Sequence, residues 1–123
     1  MGDKMSFWYL ATPYTKYPDG LDAAFVMACE QAAILIKAGI DVYSPIAHWH
    51  PIAVHGGIDK TDHEFWMRVN APALKSMRGI VVVQMQGWQQ SKGIHHELNH
   101  SRGKPVVWMD VGVVPPELLP CST

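Results

Sequence analysis

Residues 79–85, GIVVVQM, carry the clearest structural signal in the chain. The run is nearly continuous in valine, which is typical of a strand in a parallel sheet that is covered on both faces. Two shorter apolar runs, residues 6–11 and 40–43, each stop at a Thr-Pro or Ser-Pro pair and predict two further strands. Residues 105–109, PVVWM, predict a fourth strand.

Three helices are predicted between these strands. Residues 21–38 carry alanine and leucine at helical spacing and end before Gly39, where the C-terminal glycine of a helix belongs. Residues 61–64 fit a capping box and predict the start of a second helix. Residues 91–102 predict a third helix, with Ser91 as its N-cap.

Proline shapes the predictions for the remaining segments. Pro72 lies within the second predicted helix and predicts a kink or a restart near Asn70. Residues 46–60 are rich in His, Pro and Gly and have no regular period, so they are predicted to form a long loop. The Pro-rich residues from 114 onward predict no regular element.

The alternation of strands and helices indicates a parallel sheet with helices on both faces, because each crossover must be right-handed. We therefore expect one domain over residues 1–123, with an α/β, flavodoxin- or Rossmann-like three-layer fold and a parallel sheet of four or five strands. Ligands of such sheets bind beyond the carboxyl ends of the strands, where the strand order reverses.

Composition narrows the classes of partner and compartment. A net charge of −1, with no basic stripe, argues against a nucleic-acid polymer and favours a small-molecule partner. No apolar run approaches the ~20 residues that span a bilayer, so we expect no membrane association. Cys29 and Cys121 are too few for a disulfide framework, which favours a cytoplasmic location.

The loops at residues 12–20, 44–60 and 86–93 follow the first three predicted strands and hold many polar and aromatic side chains. We expect them to bind substrate, because loops at the carboxyl ends of strands converge on one site. The candidate substrate-binding residues are Tyr14, His48, His50, Trp88, Ser91 and Gly93.

The start of the third predicted helix is a candidate anion site. Ser91 and Gly93 place a hydroxyl and unpaired backbone amides at a helix N-terminus, which favours phosphate. The alternative is that Ser91 is only a cap and Gly93 only a packing glycine. Glu97 lies on the same helix and can attack an anomeric carbon, although a helix glutamate is more often a solvated surface charge.

Three motifs, in this order and at this spacing, carry a resemblance to a known family: YLATP at residues 9–13, SKGIHHEL at residues 91–98 and GKPV at residues 103–106. They resemble the nucleoside 2-deoxyribosyltransferase and 2′-deoxynucleoside 5′-monophosphate N-hydrolase family. The resemblance implies cleavage or transfer at the N-glycosidic bond of a small deoxynucleoside or its 5′-monophosphate, without a cofactor or a metal, in a homo-oligomer.

By this resemblance Glu97 is the catalytic nucleophile, Tyr9 orients its carboxylate, and Ser91 binds the 5′-phosphate or 5′-hydroxyl. Read without the family, Tyr9 is a core aromatic on a buried strand. The family uses an aspartate to help protonate the departing base, and that position falls on Asn70 here. An amide cannot deliver a titrating proton, so we expect Asn70 to limit the rate, with the loop histidines His48 and His50 as substitute donors.

Two alternatives stay open. Asn70 allows a nucleotide-binding module that kept the fold and lost turnover. Residues 96–100, HELNH, satisfy the HExxH pattern, in which His96 and His100 would bind zinc and Glu97 would act as base. No histidine follows His100 to serve as a third ligand, which makes this zinc hydrolase the weaker alternative.

Overall fold

The computed structural model describes residues 6–119, so Cys121 lies outside the described residues. Within them no helix is both long enough and apolar enough to cross a membrane. The elements are β1 (Trp8–Ala11), α1 (Leu21–Lys37), β2 (Val42–Tyr43), α2 (Pro45–Gly56), α3 (His63–Ser76), β3 (Gly79–Val83), α4 (Lys92–Asn99) and β4 (Val106–Met109). Two short 3-10 helices cover Trp88–Gln90 and Pro116–Leu118.

The four strands form one parallel sheet in the order β2-β1-β3-β4. Leu10 of β1 pairs with Val81 of β3, and Val82 of β3 pairs with Trp108 of β4. From β1 the chain passes through α1 to β2 at one edge of the sheet, whereas from β3 it passes through α4 to β4 at the other edge. The loops after β1 and β3 therefore diverge, and a crevice forms between them.

Helices cover both faces of the sheet. One face, which includes Leu10 and Val81, packs against α1 through Leu35. The opposite face, which includes Val82, packs against α3 and α4 through residues such as Ile94. All five residues of β3 are buried, as its valine-rich sequence predicts. The fold is a flavodoxin- or Rossmann-like three-layer α/β arrangement with four strands, as the alternation of elements predicts.

The prediction of a long loop at residues 46–60 is wrong, because α2 occupies most of it. Pro45 stands at the first turn, where its missing N–H costs nothing, and the Ser44 Oγ accepts a hydrogen bond from Ala47 N at 3.2 Å. Gly57 ends the helix at φ 69°, a left-handed conformation that favours glycine. These end signals outweigh the unfavourable composition, even with Pro51 inside the helix.

The second helix differs from its prediction in the residue that caps it and in that it is not interrupted near Asn70. Asp62, not Thr61, is the N-cap of α3, and its Oδ1 accepts from Phe65 N at 3.3 Å. Thr61 instead donates its amide and its hydroxyl to Asp59, at 2.9 and 2.7 Å. The helix continues through Pro72, so there is no restart near Asn70. A proline removes a single helical hydrogen bond, and the apolar contacts of α3 with the sheet outweigh that loss.

The third predicted helix, α4, begins after Ser91 as expected but ends at Asn99 rather than at residue 102. His100 is its C-cap, and the chain turns before Gly103, which has φ 82°. The predicted strands are each present and somewhat shorter than their apolar runs.

Gly87 fixes the loop that follows β3 against the loop that follows β1. It has φ 92°, and a Cβ added at this position would collide with the Lys16 carbonyl oxygen. The two loops therefore touch backbone to backbone beside the crevice. Gly39 has a similar φ of 86°, but a Cβ added there would meet no atom within 4 Å, which makes it a matched control.

We expect Gly87→Ala to lower the free energy of unfolding by about 2–4 kcal/mol, because the penalty of a left-handed alanine is added to that of the collision with the Lys16 carbonyl. Gly39→Ala should cost only about 1–2 kcal/mol, since it carries the conformational penalty alone. Urea denaturation of both variants measures the difference. Equal losses would show that the Gly87–Lys16 approach does not constrain the fold.

Candidate active site

A cavity of about 280 Å³ opens beyond the carboxyl ends of β1 and β3. Its walls come from the loop after β1, from α2 and α3, and from the first turns of α4. The volume is close to the lower end of the ~300–1,000 Å³ range of small-molecule sites. The polar and aromatic residues that line it are Thr12, Tyr14, Thr15, Lys16, Trp49, His50, Lys60, Thr61, His63, Trp66, Asn70, Ser91, Lys92 and Glu97.

Glu97 contributes a buried carboxyl to this cavity. It lies one turn after Ile94, and these two residues form the buried face of α4, which leaves the Glu97 residue only 6% exposed. No cation pairs with it among residues 6–119. Burial raises the pKa of the Glu97 carboxyl to about 8, and the adjacent Tyr9 hydroxyl partly lowers that pKa. Glu97 is thus not the solvated surface charge that a helix glutamate usually is.

Tyr9 of β1 lies beside Glu97, inside the protein. Its hydroxyl is fully buried and makes no hydrogen bond of good geometry with any residue in the described range. Burial, followed by the neighbouring Glu97 carboxylate, raises the Tyr9 pKa far above its usual range. The phenol therefore keeps its proton and is available to donate to the carboxylate after a small adjustment.

Asn70 of α3 lines the cavity with a side chain that is held in place. Its Oδ1 accepts a hydrogen bond from the Trp49 indole Nε1 at 2.6 Å. The Trp49 bond takes one acceptor site of that oxygen and fixes the orientation of the amide, which leaves the N–H donors of the amide nitrogen for a ligand. Asn70 can thus donate a hydrogen bond into the cavity.

Ser91 and Gly93 both reach the cavity at the start of α4. The Ser91 Oγ accepts from Ile94 N at 3.2 Å, so it is the N-cap that the sequence predicts. The cap uses the oxygen as an acceptor and leaves the hydroxyl proton free for another partner. The cap and the anion-binding interpretations of Ser91 are therefore compatible.

Tyr14 and His50 meet at the edge of the cavity. The Tyr14 hydroxyl lies 2.6 Å from His50 Nδ1, and His50 Nε2 lies 3.1 Å from Asp22 Oδ1. Phe25 stacks on the buried imidazole with ring centroids 4.5 Å apart. Burial and then the Asp22 carboxylate raise the pKa of the Tyr14 hydroxyl to about 12.

His48 and Trp88, two other predicted substrate contacts, lie away from the cavity. His48 is exposed on α2 and packs its ring against Tyr43 and Trp49. The reason is that residues 44–56 form a capped helix rather than a loop, so His48 and His50 point in different directions. Trp88 packs against Trp108 of β4, with ring centroids 5.4 Å apart.

The zinc arrangement expected from HELNH is not assembled. The His96 and His100 rings stack at 4.0 Å, and His100 Nδ1 approaches the His96 carbonyl oxygen at 2.9 Å. Burial, then His100 and His63, lower the pKa of the His96 imidazole. Across residues 6–119 no three His, Cys, Asp or Glu side chains are grouped so that they could hold a metal ion.

Several cavity residues were not predicted. Lys16, Lys60 and Lys92 all line it, whereas Glu97 is the only acid among the described lining residues. The Thr12 Oγ1 is buried there without a hydrogen-bond partner among residues 6–119. Scattered lysines give no local signal, but Thr12 directly follows a predicted strand, a position that favours a ligand contact.

The raised Glu97 pKa predicts a pH-dependent gain of stability in Glu97→Gln. In the unfolded chain the carboxyl ionises near ~4.3, so between about pH 4.3 and 8 only the unfolded state ionises, and wild-type stability falls as pH rises. Glutamine does not ionise. Relative to wild type, Glu97→Gln should therefore gain on the order of 3 kcal/mol between pH 4 and pH 7.

Thermal or urea unfolding of both proteins at pH 4, 5.5, 7 and 8.5 measures this gain. Glu64→Gln, the same change at an exposed position, is the control, and its stability should vary with pH as that of wild type does. A pH-independent difference between Glu97→Gln and wild type would mean that the folded-state pKa of Glu97 is not raised.

Comparison with known proteins places the chain in a family without assigning an activity. No curated protein matches it. The family described as Domain of unknown function (DUF1937) matches residues 6–111, a range that includes all four strands and the residues that line the cavity. This chain therefore belongs to the DUF1937 family.

Proposed function

We propose that the protein cleaves the N-glycosidic bond of a 2′-deoxynucleoside 5′-monophosphate, with Glu97 as the nucleophile. The observation that carries the proposal is the buried Glu97 carboxyl in a cavity that also contains the N-terminus of its own helix. One helix thus offers a phosphate site and a nucleophile. The resemblance to deoxyribosyltransferases and deoxynucleotide N-hydrolases supports the same assignment.

In the proposed reaction Glu97 acts in its ionised form, which predominates above its pKa of about 8, and the carboxylate attacks C1′ of the sugar while the bond to the base breaks. A covalent glycosyl intermediate forms, and water then releases it, as in retaining glycosidases. Transfer to a second base would replace the water. Tyr9 would donate its hydroxyl hydrogen to the carboxylate oxygen that is not attacking, which orients the nucleophile.

The 5′-phosphate is proposed to bind at the start of α4. The unpaired amides of the first turn and the helix dipole favour an anion, and Ser91 adds a free hydroxyl donor. Lys16 and Lys92 add positive charge to the same cavity. Helix side chains lean toward the N-terminus, so Glu97 reaches back toward this site from a position about 9 Å along the axis.

The base is proposed to lie between α2 and α3. Trp49 and Trp66 line this part of the cavity with ring centroids 5.5 Å apart and provide apolar surface for stacking. Asn70 provides a fixed amide donor beside them. The resulting ligand is a small nucleotide with its phosphate at α4, its sugar over Glu97 and its base against tryptophan.

A nucleotide-binding module without turnover is the second candidate, and one observation favours it. Asn70 stands where the resemblance implies an aspartate that assists protonation of the departing base. The two candidates share a ligand and differ in the release of free base, so one assay separates them.

Glu97→Gln should reduce the rate of base release by at least ~1,000-fold while keeping nucleotide binding, because the amide preserves shape and cannot act as a nucleophile. Liquid chromatography of free base from the four common deoxynucleoside 5′-monophosphates measures the rate, and calorimetry measures binding. Exposed Glu64→Gln is the matched control. Binding without base release by wild type would support the second candidate; neither binding nor release would refute both.

Ser91→Ala should weaken the binding of monophosphates roughly 10- to 100-fold and leave the binding of the matching nucleosides unchanged, because it removes a hydroxyl donor to a charged acceptor. It also removes a helix cap. Ser44→Ala controls for this, since Ser44 caps α2 with the same 3.2 Å bond and is absent from the cavity lining. Parallel titrations with nucleoside and nucleotide decide the matter: equal weakening of both ligands would make Ser91 a cap alone.

A further inference from the structure

We propose that Tyr14 donates the proton to the departing base and that His50, held by Asp22, supplies a proton to Tyr14 in turn. This inference rests on the proposed N-glycosidic cleavage. It answers a chemical need that Asn70 leaves open, because the amide cannot supply a proton to the base.

The three side chains form a continuous path from the cavity to the surface. Tyr14 lines the cavity and contacts His50 Nδ1 at 2.6 Å, and the other ring nitrogen contacts Asp22 at 3.1 Å. His50 is buried, whereas the Asp22 side chain is 91% exposed. Both ring nitrogens are thus occupied, so His50 can reach a ligand only through Tyr14.

Tyr14 carries the proton that it would donate, but a phenol of raised pKa is a weak acid, so it donates as His50 Nδ1 supplies a proton to it. Its raised pKa of about 12 keeps the phenol protonated at neutral pH. His63 is the other histidine in the cavity lining, but it is exposed, and no carboxylate of the described residues pairs with its ring. Tyr14 is therefore a better candidate than His63, because His50 and Asp22 beside it provide a route by which its proton is replaced.

The proton balance closes over the two steps. The reactive state of the proposal has a proton on each His50 nitrogen, so that Nε2 donates to Asp22 and Nδ1 donates to Tyr14, while Tyr14 donates to the base. As Glu97 bonds to C1′ and the bond to the base breaks, the Tyr14 proton passes to the base and the Nδ1 proton passes to Tyr14. Water then attacks C1′, Glu97 leaves, and the proton from water returns through Tyr14 to His50.

The test compares leaving groups. One substrate is whichever common deoxynucleoside 5′-monophosphate wild type cleaves fastest, and the other is 4-nitrophenyl 2-deoxyriboside 5-phosphate. Nitrophenolate leaves as a stable anion and needs no proton donor. Tyr14→Phe should lower kcat on the nucleotide by ~100-fold or more and change the nitrophenyl rate by less than about threefold. His50→Gln and Asp22→Asn should show the same selectivity for the nucleotide, to a smaller extent.

Two matched controls come from the same loop. Tyr17→Phe removes a phenol that is absent from the cavity lining, and Asp19→Asn removes an exposed carboxylate; both should leave the two rates unchanged. Unfolding temperatures of all variants show whether each one is folded. His50→Gln keeps a donor and an acceptor at a buried position, so it preserves the fold better than alanine would.

The possible results separate the two proposals. If Tyr14→Phe lost activity equally on both substrates, the path would have only a structural role and this inference would be overturned. A loss confined to the nucleotide in His63→Gln, in place of Tyr14→Phe, would overturn it as well. Wild type that cleaves only the nitrophenyl substrate would also overturn it, because no donor would then be working. Full activity of Glu97→Gln, or wild type inactive on both substrates, would refute the proposed function itself.

Discussion

The burial of β3 on both faces is the constraint from which the site follows. A strand covered by helices on both sides needs crossovers that pass over opposite faces, and right-handed crossovers then send the chain in opposite directions from β1 and from β3. The divergence opens a crevice at the carboxyl ends of these two strands. Thr12 and Ser91 reach one cavity because they belong to the segments that follow β1 and β3. The apolar core and the polar site are therefore consequences of the same strand order.

In and directly behind that crevice, the protein holds polar groups that lower its stability. Glu97 is buried without a cation, and the hydroxyls of Tyr9 and Thr12 have no good hydrogen-bond partner in the described part of the chain. Each such group costs free energy when it is removed from water. Core packing elsewhere, with β3 completely buried, offsets this cost. A carboxyl kept in a destabilising position is typical of catalytic sites, where pKa values are shifted by desolvation.

Local patterns predicted the elements whose signals are local. The valine run of β3, the helical spacing of α1 and the Ser91 cap of α4 all depend on neighbours within a few residues, and the structure contains each of them. The composition of α2 concealed its end signals, because His and Pro suggested a loop although Ser44 and Gly57 cap a helix. Contacts such as Trp49 to Asn70 and His50 to Asp22 join residues far apart in sequence. They depend on how helices pack, and no motif or spacing records them.

The backbone approach of Gly87 to Lys16 couples the two segments that form one side of the cavity. The segments that follow β1 and β3 are in backbone contact there, so neither can be displaced at this point without displacing the other. The opposite wall is built from α2, α3 and the short connection between them, which contributes Lys60 and Thr61 to the lining. That connection, residues 57–62, contains no buried residue, whereas the strand loops bury Thr12 and Ser91. A side chain at position 87 would therefore displace both strand loops together, and with them the side of the cavity that carries Lys16 and Ser91, while the side built from α2 and α3 would keep its contacts.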